Sequence, residues 1–129
     1  MKIYCCECKK EVNANLISGK EVYPHREDLF SLPFWECPRC NGVVGCHHKT
    51  KDRTRPLGCI PNDFIKRTRK EIHQLIDPIW RYGVASRKDV YKQMSDILGF
   101  EFHSAEISSN EAALNAYSAA IQISLDYEI

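Results

Sequence analysis

The sequence has no hydrophobic run that approaches the roughly 18 residues needed to span a bilayer. Its first residues, MKIYCCECKK, lack the apolar core of a secretory signal peptide. Internal repeats and low-complexity tracts are also missing. These absences argue against a membrane protein, a repeat protein and a disordered chain, and they predict a cytoplasmic location.

Several common catalytic motifs are absent as well. The sequence contains no G-x-S-x-G elbow, no phosphate-binding loop and no H-E-x-x-H helix. The 129 residues suffice for one compact domain, or for a small module joined to a helical one, but not for a multidomain enzyme. Hydrophobic residues make up 43% and charged residues 27%, close to the average of soluble globular proteins, so the chain is expected to fold.

Charge is unevenly distributed along the chain. Residues 1–80 carry 14 Lys and Arg against 10 Asp and Glu, a net of +4, whereas residues 81–129 carry 4 against 7, a net of −3. The first two thirds are therefore suited to an anionic partner, and the last third is not.

Seven cysteines are the most informative feature that is present. Cytosolic thiols stay reduced, so clustered cysteines there indicate metal binding more often than disulfides. Two Cys-x-x-Cys pairs can each hold one side of a tetrahedral ion, and they predict one structural zinc bound by Cys5, Cys8, Cys37 and Cys40. Cys6 is an alternative to Cys5 as the first ligand, but only Cys5 is separated from Cys8 by two residues.

The remaining cysteines have weaker interpretations. We interpret Cys46 and Cys59 as small buried hydrophobic residues, with Cys46, His47 and His48 as a minor candidate for a second metal site. Rubredoxin-type iron uses similar ligands to zinc, and redox chemistry at a lone Cys-x-x-Cys needs a βαβ context that the residues around Cys37 lack.

The first 48 residues predict short strands around the cysteines. Strands are expected over 11–17 and 20–23, reversed at Ser18-Gly19, and over 34–36 and 43–47, with Asn41-Gly42 forming a tight turn. Residues 49–61 hold two prolines and a glycine without hydrophobic periodicity, which predicts a linker or a surface loop.

Three helices are expected after residue 61. The first has Asn62 as its N-cap and ends or kinks near Ile76 because of Pro78; the second is capped by Ser86 and terminated by Gly99. The third spans residues 110–125 with a capping box formed by Ser108 and Glu111, and its apolar stripe comprises Ala113, Leu114, Tyr117, Ala120, Ile121, Ser124 and Leu125.

These elements predict an α+β protein, in which a zinc ribbon of short antiparallel hairpins packs on about three α-helices. The ribbon with a basic loop occupies residues 1–60 and the helical segment residues 61–129. Because each part is too small to bury much surface alone, we expect them to dock as one domain through Trp35 and Trp80.

Several short motifs occur in a specific order: CxxC at 5–8, YPHRxDL at 23–29, FWxCPxC at 34–40, VGCH at 44–47, PLG at 56–58 and HxxxDPxW at 73–80. With them the chain resembles the zinc-finger-containing domain family of small phage, prophage and bacterial proteins, over roughly residues 3–107. Members of that family have no established biochemical function, so the resemblance implies a zinc-dependent fold and a phage or mobile-element setting without supplying a reaction. The extra cysteine at position 6 departs from the family pattern.

Nucleic-acid binding is the first functional hypothesis. Eight cations and two acidic residues, Asp52 and Asp63, lie within 22 residues, so the local net charge is +6. Such a patch can contact phosphates. The eight cations are Lys49, Lys51, Arg53, Arg55, Lys66, Arg67, Arg69 and Lys70. Phe34 and Trp35 would add base stacking if exposed, but they fit the interior of a ribbon better. The alternative for the cations is a solvated helix face and a loop.

The second hypothesis is a phage-encoded interaction factor that binds, and inhibits or modulates, a host protein or defence complex in the host cytoplasm. The small size, the acidic last third and the missing catalytic set favour it. Nothing in the sequence indicates the oligomeric state.

The third hypothesis is an enzyme, and the sequence favours it least. Histidine can act as an acid or base near neutral pH. With Asp28, the candidate residues form a possible polar cluster: His25, Arg26, His47, His73 and Asp77. A mainly structural role is the preferred interpretation, because such groups need partners when buried.

Overall fold

The structure, a computed structural model, describes residues 1–127; the last two positions of the predicted helical segment 61–129 lie outside that range. The chain divides into two compact units, a strand unit over Met1–Asn62 and a helical unit from Asp63 onward. The architecture of short antiparallel hairpins and helices confirms the predicted α+β class. None of the helices in residues 1–127 combines the length and apolar character that crossing a membrane requires.

The strand unit holds two small antiparallel sheets. The first pairs β1 (Lys2–Cys5) with β2 (Lys10–Asn13), and the second has the order β3-β4-β5, formed by Asn15–Ser18, Pro33–Glu36 and Val43–Gly45. In β1 the alternation of the side chains turns Ile3 and Cys5 inward, where Ile3 faces Val12 across the hairpin. The sheets thereby bring the cysteine-bearing strand ends into one core.

Residues 19–22 form a short helix, α1 (Gly19–Val22), so the predicted strand over 20–23 is wrong. The predicted strand over 11–17 is also divided between β2 and β3 at Ala14. Close packing explains the first difference: a Cβ on Gly19 would lie 1.7 Å from the carbonyl oxygen of Leu29. Only glycine allows the chain to fold back on itself there, and that contact lies beyond local sequence patterns.

Residues 56–60 are more than a linker. The N–H of Ile60 donates to the carbonyl of Tyr4, and the N–H of Cys6 donates to the carbonyl of Ile60, both at 2.9 Å. Ile60 is fully buried in a core shared with aliphatic residues of the sheets and with ligand candidates: Ile3, Cys5, Val12, Ala14, Cys37 and Val44. The last residues of the predicted surface loop are therefore part of the core of the strand unit.

The helical unit consists of α2 (Asp63–Arg81), α3 (Arg87–Leu98) and α4 (Asn110–Asp126). Helix α2 buries one stripe at helical spacing: Ile65, Thr68, Ile72, Ile76 and Ile79. The helix continues through Pro78, so an end near Ile76 is wrong. Proline in a helix interior costs about 3 kcal/mol, and the complete burial of Ile79 one residue later offsets that cost through packing.

Helix α3 has the predicted ends. The Ser86 hydroxyl accepts the N–H of Asp89 at 3.0 Å, and Gly99 terminates the helix with a left-handed φ of 82°. Both features depend on residues within one turn, which is why the sequence signals are reliable here.

Helix α4 differs from its prediction at its N-terminus and on its buried face. The cap is Ser109, whose hydroxyl accepts the N–H of Ala112 at 3.0 Å, and not Ser108. The predicted stripe is partly wrong, because Leu114, Ile121 and Leu125 are exposed. The buried positions are mainly small side chains, which allow close helix approach: Ala113, Ala116, Ala119, Ala120, Ile123 and Ser124.

Candidate metal centre

Two similar turns present the four predicted ligands. Cys5 ends β1 and Cys37 follows β4, and each is succeeded two residues later by its partner cysteine. The residue after each pair has a left-handed backbone, with φ of 57° at Lys9 and 62° at Asn41. In both turns that residue donates its N–H to the carbonyl of the first cysteine, at 2.8 and 3.0 Å. The repeated geometry is the zinc-knuckle arrangement that the spacing predicted.

The four sulfur atoms converge. Cys5 Sγ lies 3.5 Å from Cys40 Sγ, Cys8 Sγ lies 3.7 Å from Cys37 Sγ, and all four lie within 4.8 Å of one another. Four thiolates about 2.3 Å from a tetrahedral zinc ion would be spaced by roughly 3.8 Å, so the donor set fits zinc in number, chemistry and size. A shell closed by four protein ligands leaves no position for substrate, which makes this a structural centre.

The environment of each thiol depends on its place in the turn. Burial alone would raise the pKa of Cys37, but hydrogen bonds from the backbone N–H groups of Cys40 and Arg39 outweigh it and lower that pKa to about 7. Burial raises the pKa of Cys40 to about 12, against a hydrogen bond from the N–H of Gly42 and with a contribution from the Cys5 and Cys37 sulfurs. Metal binding must therefore displace protons from part of the site.

The other three cysteines lie outside this group. Cys46 is buried beside a strand bridge to Pro56, and burial raises the pKa of its thiol. Within residues 1–127 the four-cysteine group is the one cluster of three or more His, Cys, Asp or Glu side chains with metal-binding spacing, so Cys46, His47 and His48 provide no second site. Cys6 and Cys59 instead lie against each other, with 3.5 Å between their sulfurs.

Most of the predicted phosphate-binding cations are exposed. They occupy a loop of the strand unit and one face of α2: Lys49, Lys51, Arg53, Arg55, Lys66, Arg67 and Lys70. Arg69 differs from them, because its guanidinium donates to the carbonyls of Ala105 and Ile107 at 2.9 and 3.0 Å inside the helical unit. Arg69 thus holds the segment before α4 against α2.

The polar candidates of the strand unit have local partners. Arg26 forms two hydrogen bonds with Asp28, at 3.0 and 2.7 Å, and they lower the pKa of the Asp28 carboxyl. His25 is exposed, and His47 donates its backbone N–H to the carbonyl of Arg55 at 2.9 Å. Arg26 and Asp28 are both largely exposed, so this ion pair contributes little to stability.

His73 and Asp77 come together on α2, as their spacing predicts. The Nδ1 of His73 lies 3.3 Å from Oδ1 of Asp77, which also accepts the indole N–H of Trp80 at 3.3 Å. The opposite ring nitrogen, Nε2, lies 3.1 Å from the hydroxyl of Ser104. Ser104 was missed from the sequence, because it follows His73 by 31 residues and belongs to no recognisable motif.

The order of hydroxyl, imidazole and carboxylate is the one used in acyl transfer, but its surroundings indicate a structural role. The N–H groups of Glu106 and Ile107, next to Ser104, are already donated to the carbonyls of His103 and Ser104. They are therefore not available to stabilise an oxyanion. The chain of hydrogen bonds, like those of Arg69, fastens residues 104–107 to α2.

A family model described as a zinc-finger-containing domain matches residues 1–126. The match extends past the region of resemblance seen in the motifs and includes α4. The search of the curated proteins and the search of the solved structures each found no match.

Proposed function

Since the chain belongs to the zinc-finger-containing domain family, we propose that it is a zinc-stabilised binding module that contacts nucleic acid through an exposed basic loop. The observation that carries the proposal is the loop over residues 49–55, here called the basic loop. Its four cations are all exposed: Lys49, Lys51, Arg53 and Arg55. Against them the loop carries one acidic residue, Asp52, so its net charge is +3.

Hydrogen bonds hold the basic loop in one shape. His47 donates its N–H to the carbonyl of Arg55 at 2.9 Å, and the Thr50 hydroxyl donates to the carbonyl of His47 at 2.7 Å. The indole N–H of Trp35 on β4 donates to the carbonyl of Thr54 at 2.6 Å. Because the zinc-bearing strand unit already orders the backbone of this loop, little backbone conformational entropy remains to be lost when its cations meet phosphates.

The aromatic residues of β4 support the loop and are not free stacking surfaces. Trp35 is half-buried and its indole N–H is used in the loop, while Phe34 packs edge-on against Tyr23 with 5.8 Å between the ring centroids. Recognition through phosphates is therefore favoured over stacking on bases. Lys66, Arg67 and Lys70 on α2 supply a second exposed group of cations.

The test is fluorescence anisotropy with labelled duplex and single-stranded DNA and RNA, each in two unrelated sequences, at ~50 and ~150 mM salt. The wild-type protein should bind all sequences similarly and lose affinity steeply with salt. Changing Lys49, Lys51, Arg53 and Arg55 to Gln should weaken binding to every sequence alike and reduce the salt slope by up to about one unit per lost phosphate contact.

A matched control removes the same charge from the acidic last third of the chain. The exposed residues Arg81, Arg87, Lys88 and Lys92, changed to Gln, also lower the net charge by four. This control should retain most of the affinity. Absence of binding at ~50 mM salt, or equal losses in the two variants, would reject the basic loop as the contact surface.

The alternative function is a phage-encoded factor that binds a host protein complex in the host cytoplasm and inhibits or modulates it. One observation favours it: α4 exposes large apolar side chains on one face, at Leu114, Ile121 and Leu125. Changing these three residues to Gln should abolish capture of a discrete host complex without altering nucleic-acid affinity. Leu16→Gln, at an exposed leucine of the strand unit, is the control.

A further inference from the structure

Cys6 and Cys59 form a third cysteine pair, separate from the zinc ligands. Cys6 follows β1 directly after the ligand Cys5, and Cys59 precedes the buried Ile60. Their sulfur atoms lie 3.5 Å apart although 52 residues separate them in the chain. The interpretation of Cys59 as a small buried hydrophobic residue does not account for this approach.

The backbone fixes the approach. Cys5 and Ile60 are partners in a parallel bridge, in which Ile60 donates its N–H to Tyr4 and accepts the N–H of Cys6, both at 2.9 Å. Because Ile60 is fully buried in the core, the main chains next to Cys6 and Cys59 cannot separate without opening the strand unit. The proximity of the two thiols is thus a property of the fold.

We propose that Cys6 and Cys59 are a redox modification site that forms an intramolecular disulfide with low-molecular-weight disulfides of the glutathione class. The two residues differ in exposure: Cys6 is 4% exposed, whereas Cys59 is half-buried and reachable by a small molecule. Cys59 therefore reacts first, and Cys6 resolves the intermediate. Closing the bond shortens the distance between the sulfurs from 3.5 Å to about 2.05 Å.

The exchange balances in two steps. The Cys59 thiolate attacks one sulfur of glutathione disulfide, the S–S bond of that reagent breaks, and one glutathione thiolate leaves. The Cys6 thiolate then attacks the Cys59 sulfur of the mixed disulfide, and the second glutathione leaves. The two protein thiols lose two electrons and two protons, and the reagent gains them as two glutathione thiols.

The disulfide would tie the first zinc knuckle to the end of the segment that carries the basic loop. It closes a long loop of the chain, so it restrains the unfolded strand unit in the same region where zinc stabilises the folded one. The oxidised protein should therefore resist chelation better than the reduced protein.

The test uses the zinc-loaded full chain in buffers of increasing ratio of oxidised to reduced glutathione, followed by thiol alkylation, trypsin digestion and mass spectrometry. Oxidation should join peptide 3–9 to peptide 54–66, in which Cys59 is the one cysteine, and the zinc content should stay at one ion per chain. In a chelator titration, the oxidised protein should keep its zinc and a folded strand unit at chelator concentrations that remove the zinc from the reduced protein and unfold its strand unit.

Three variants assign the link. Cys46→Ser, at a buried cysteine outside the pair, should form it normally. Cys6→Ser should lose it and accumulate glutathione on Cys59, whereas Cys59→Ser should lose both products. Fragment ions of the wild-type cross-link give the same assignment without variants. Recovery of Cys6 and Cys59 as alkylated thiols at the most oxidising ratio, or a link through Cys5 or Cys8 with loss of zinc, would overturn the proposal.

Discussion

His73 shows how a single side chain joins distant parts of the helical unit. Its ring has one nitrogen 3.3 Å from the Asp77 carboxylate and the other 3.1 Å from the Ser104 hydroxyl. A neutral imidazole can satisfy both contacts at once, donating from Nδ1 to the carboxylate and accepting at Nε2 from the hydroxyl. The residue thus links α2 to the segment that leads into α4, and we expect its contribution to be to stability.

Replacing His73 with alanine should lower the free energy of unfolding by about 1–2 kcal/mol, because two hydrogen bonds of about 1 kcal/mol each are lost and Asp77 keeps its contact with Trp80. Chemical denaturation measures the change. His25→Ala, at an exposed histidine, is the control and should leave stability unchanged. An unaltered unfolding curve together with loss of a biochemical activity would instead support the enzyme hypothesis.

At this scale the sequence identifies residues whose partners are close along the chain. The cysteine spacing predicted the zinc ligands, and the i, i+4 spacing of His73 and Asp77 is one that brings two side chains of a helix within reach of each other. Ser104 and the carbonyls that bind Arg69 were not predictable, since they lie more than 30 residues away and their types carry no distinctive signal. The identity of a distant partner depends on how the helices pack.

The ends of helices follow the same division between local and distant causes. Ser86 and Gly99 act within one turn of α3, and both were predicted. The course of α2 through Pro78 and the short helix α1 depend on the burial of Ile79 and on the approach of Leu29 to Gly19. Local propensity is overridden at these points by packing that the sequence pattern does not express.

Two adjacent serines precede α4, and only one of them caps it. The Ser109 hydroxyl accepts the N–H of Ala112, so Ser109→Ala should destabilise the protein by about 1 kcal/mol. Ser108→Ala should have little effect, although a capping-box pattern with Glu111 suggested the opposite. Equilibrium denaturation of the two variants in parallel checks the assignment; a larger loss for Ser108→Ala would move the start of α4 by one residue.

The face that α4 buries was also beyond the sequence pattern. Four of its five alanines are buried while Leu114, Ile121 and Leu125 are exposed, which reverses the order expected from hydrophobicity. Small side chains allow two helices to approach closely. The packing between the helices that this approach permits can stabilise the fold more than burial of larger side chains. Periodicity alone predicts a helix here but does not determine which of two apolar faces points inward.

For the molecule as a whole, the strand unit depends most on its metal. Its core contains few aliphatic side chains and includes two cysteines of the zinc site. The core residues are Ile3, Cys5, Val12, Ala14, Cys37, Val44 and Ile60. A core of this size gives limited stability, whereas structural zinc can contribute on the order of 10 kcal/mol. Zinc binding and folding of the strand unit should therefore be one event.

Cys37→Ser should accordingly lose its zinc and unfold the strand unit, because three thiolates leave the ion exposed and the core open. Elemental analysis and thermal denaturation measure the two effects together. Cys46→Ser is the matched control, since it changes a buried cysteine outside the site and should keep one zinc per chain. A Cys37→Ser protein with full zinc content and an unchanged melting temperature would contradict the assignment.

Lowering the pH should release zinc, as removal of a ligand does, because protons compete with zinc for the thiolates. The raised pKa of Cys40, about 12, means that its proton must leave when zinc binds at neutral pH, so the metal-free protein binds more protons than the zinc-bound one. Stability of the zinc-bound state therefore rises with pH and is lost as pH falls. Each proton that zinc displaces lowers the zinc affinity by about tenfold per pH unit, and Cys40 supplies one such proton throughout the neutral and acidic range. Competition with a chromophoric chelator between pH 8 and about 5.5 should show a zinc affinity that falls by at least about tenfold per pH unit, and a zinc affinity independent of pH would contradict proton displacement from Cys40.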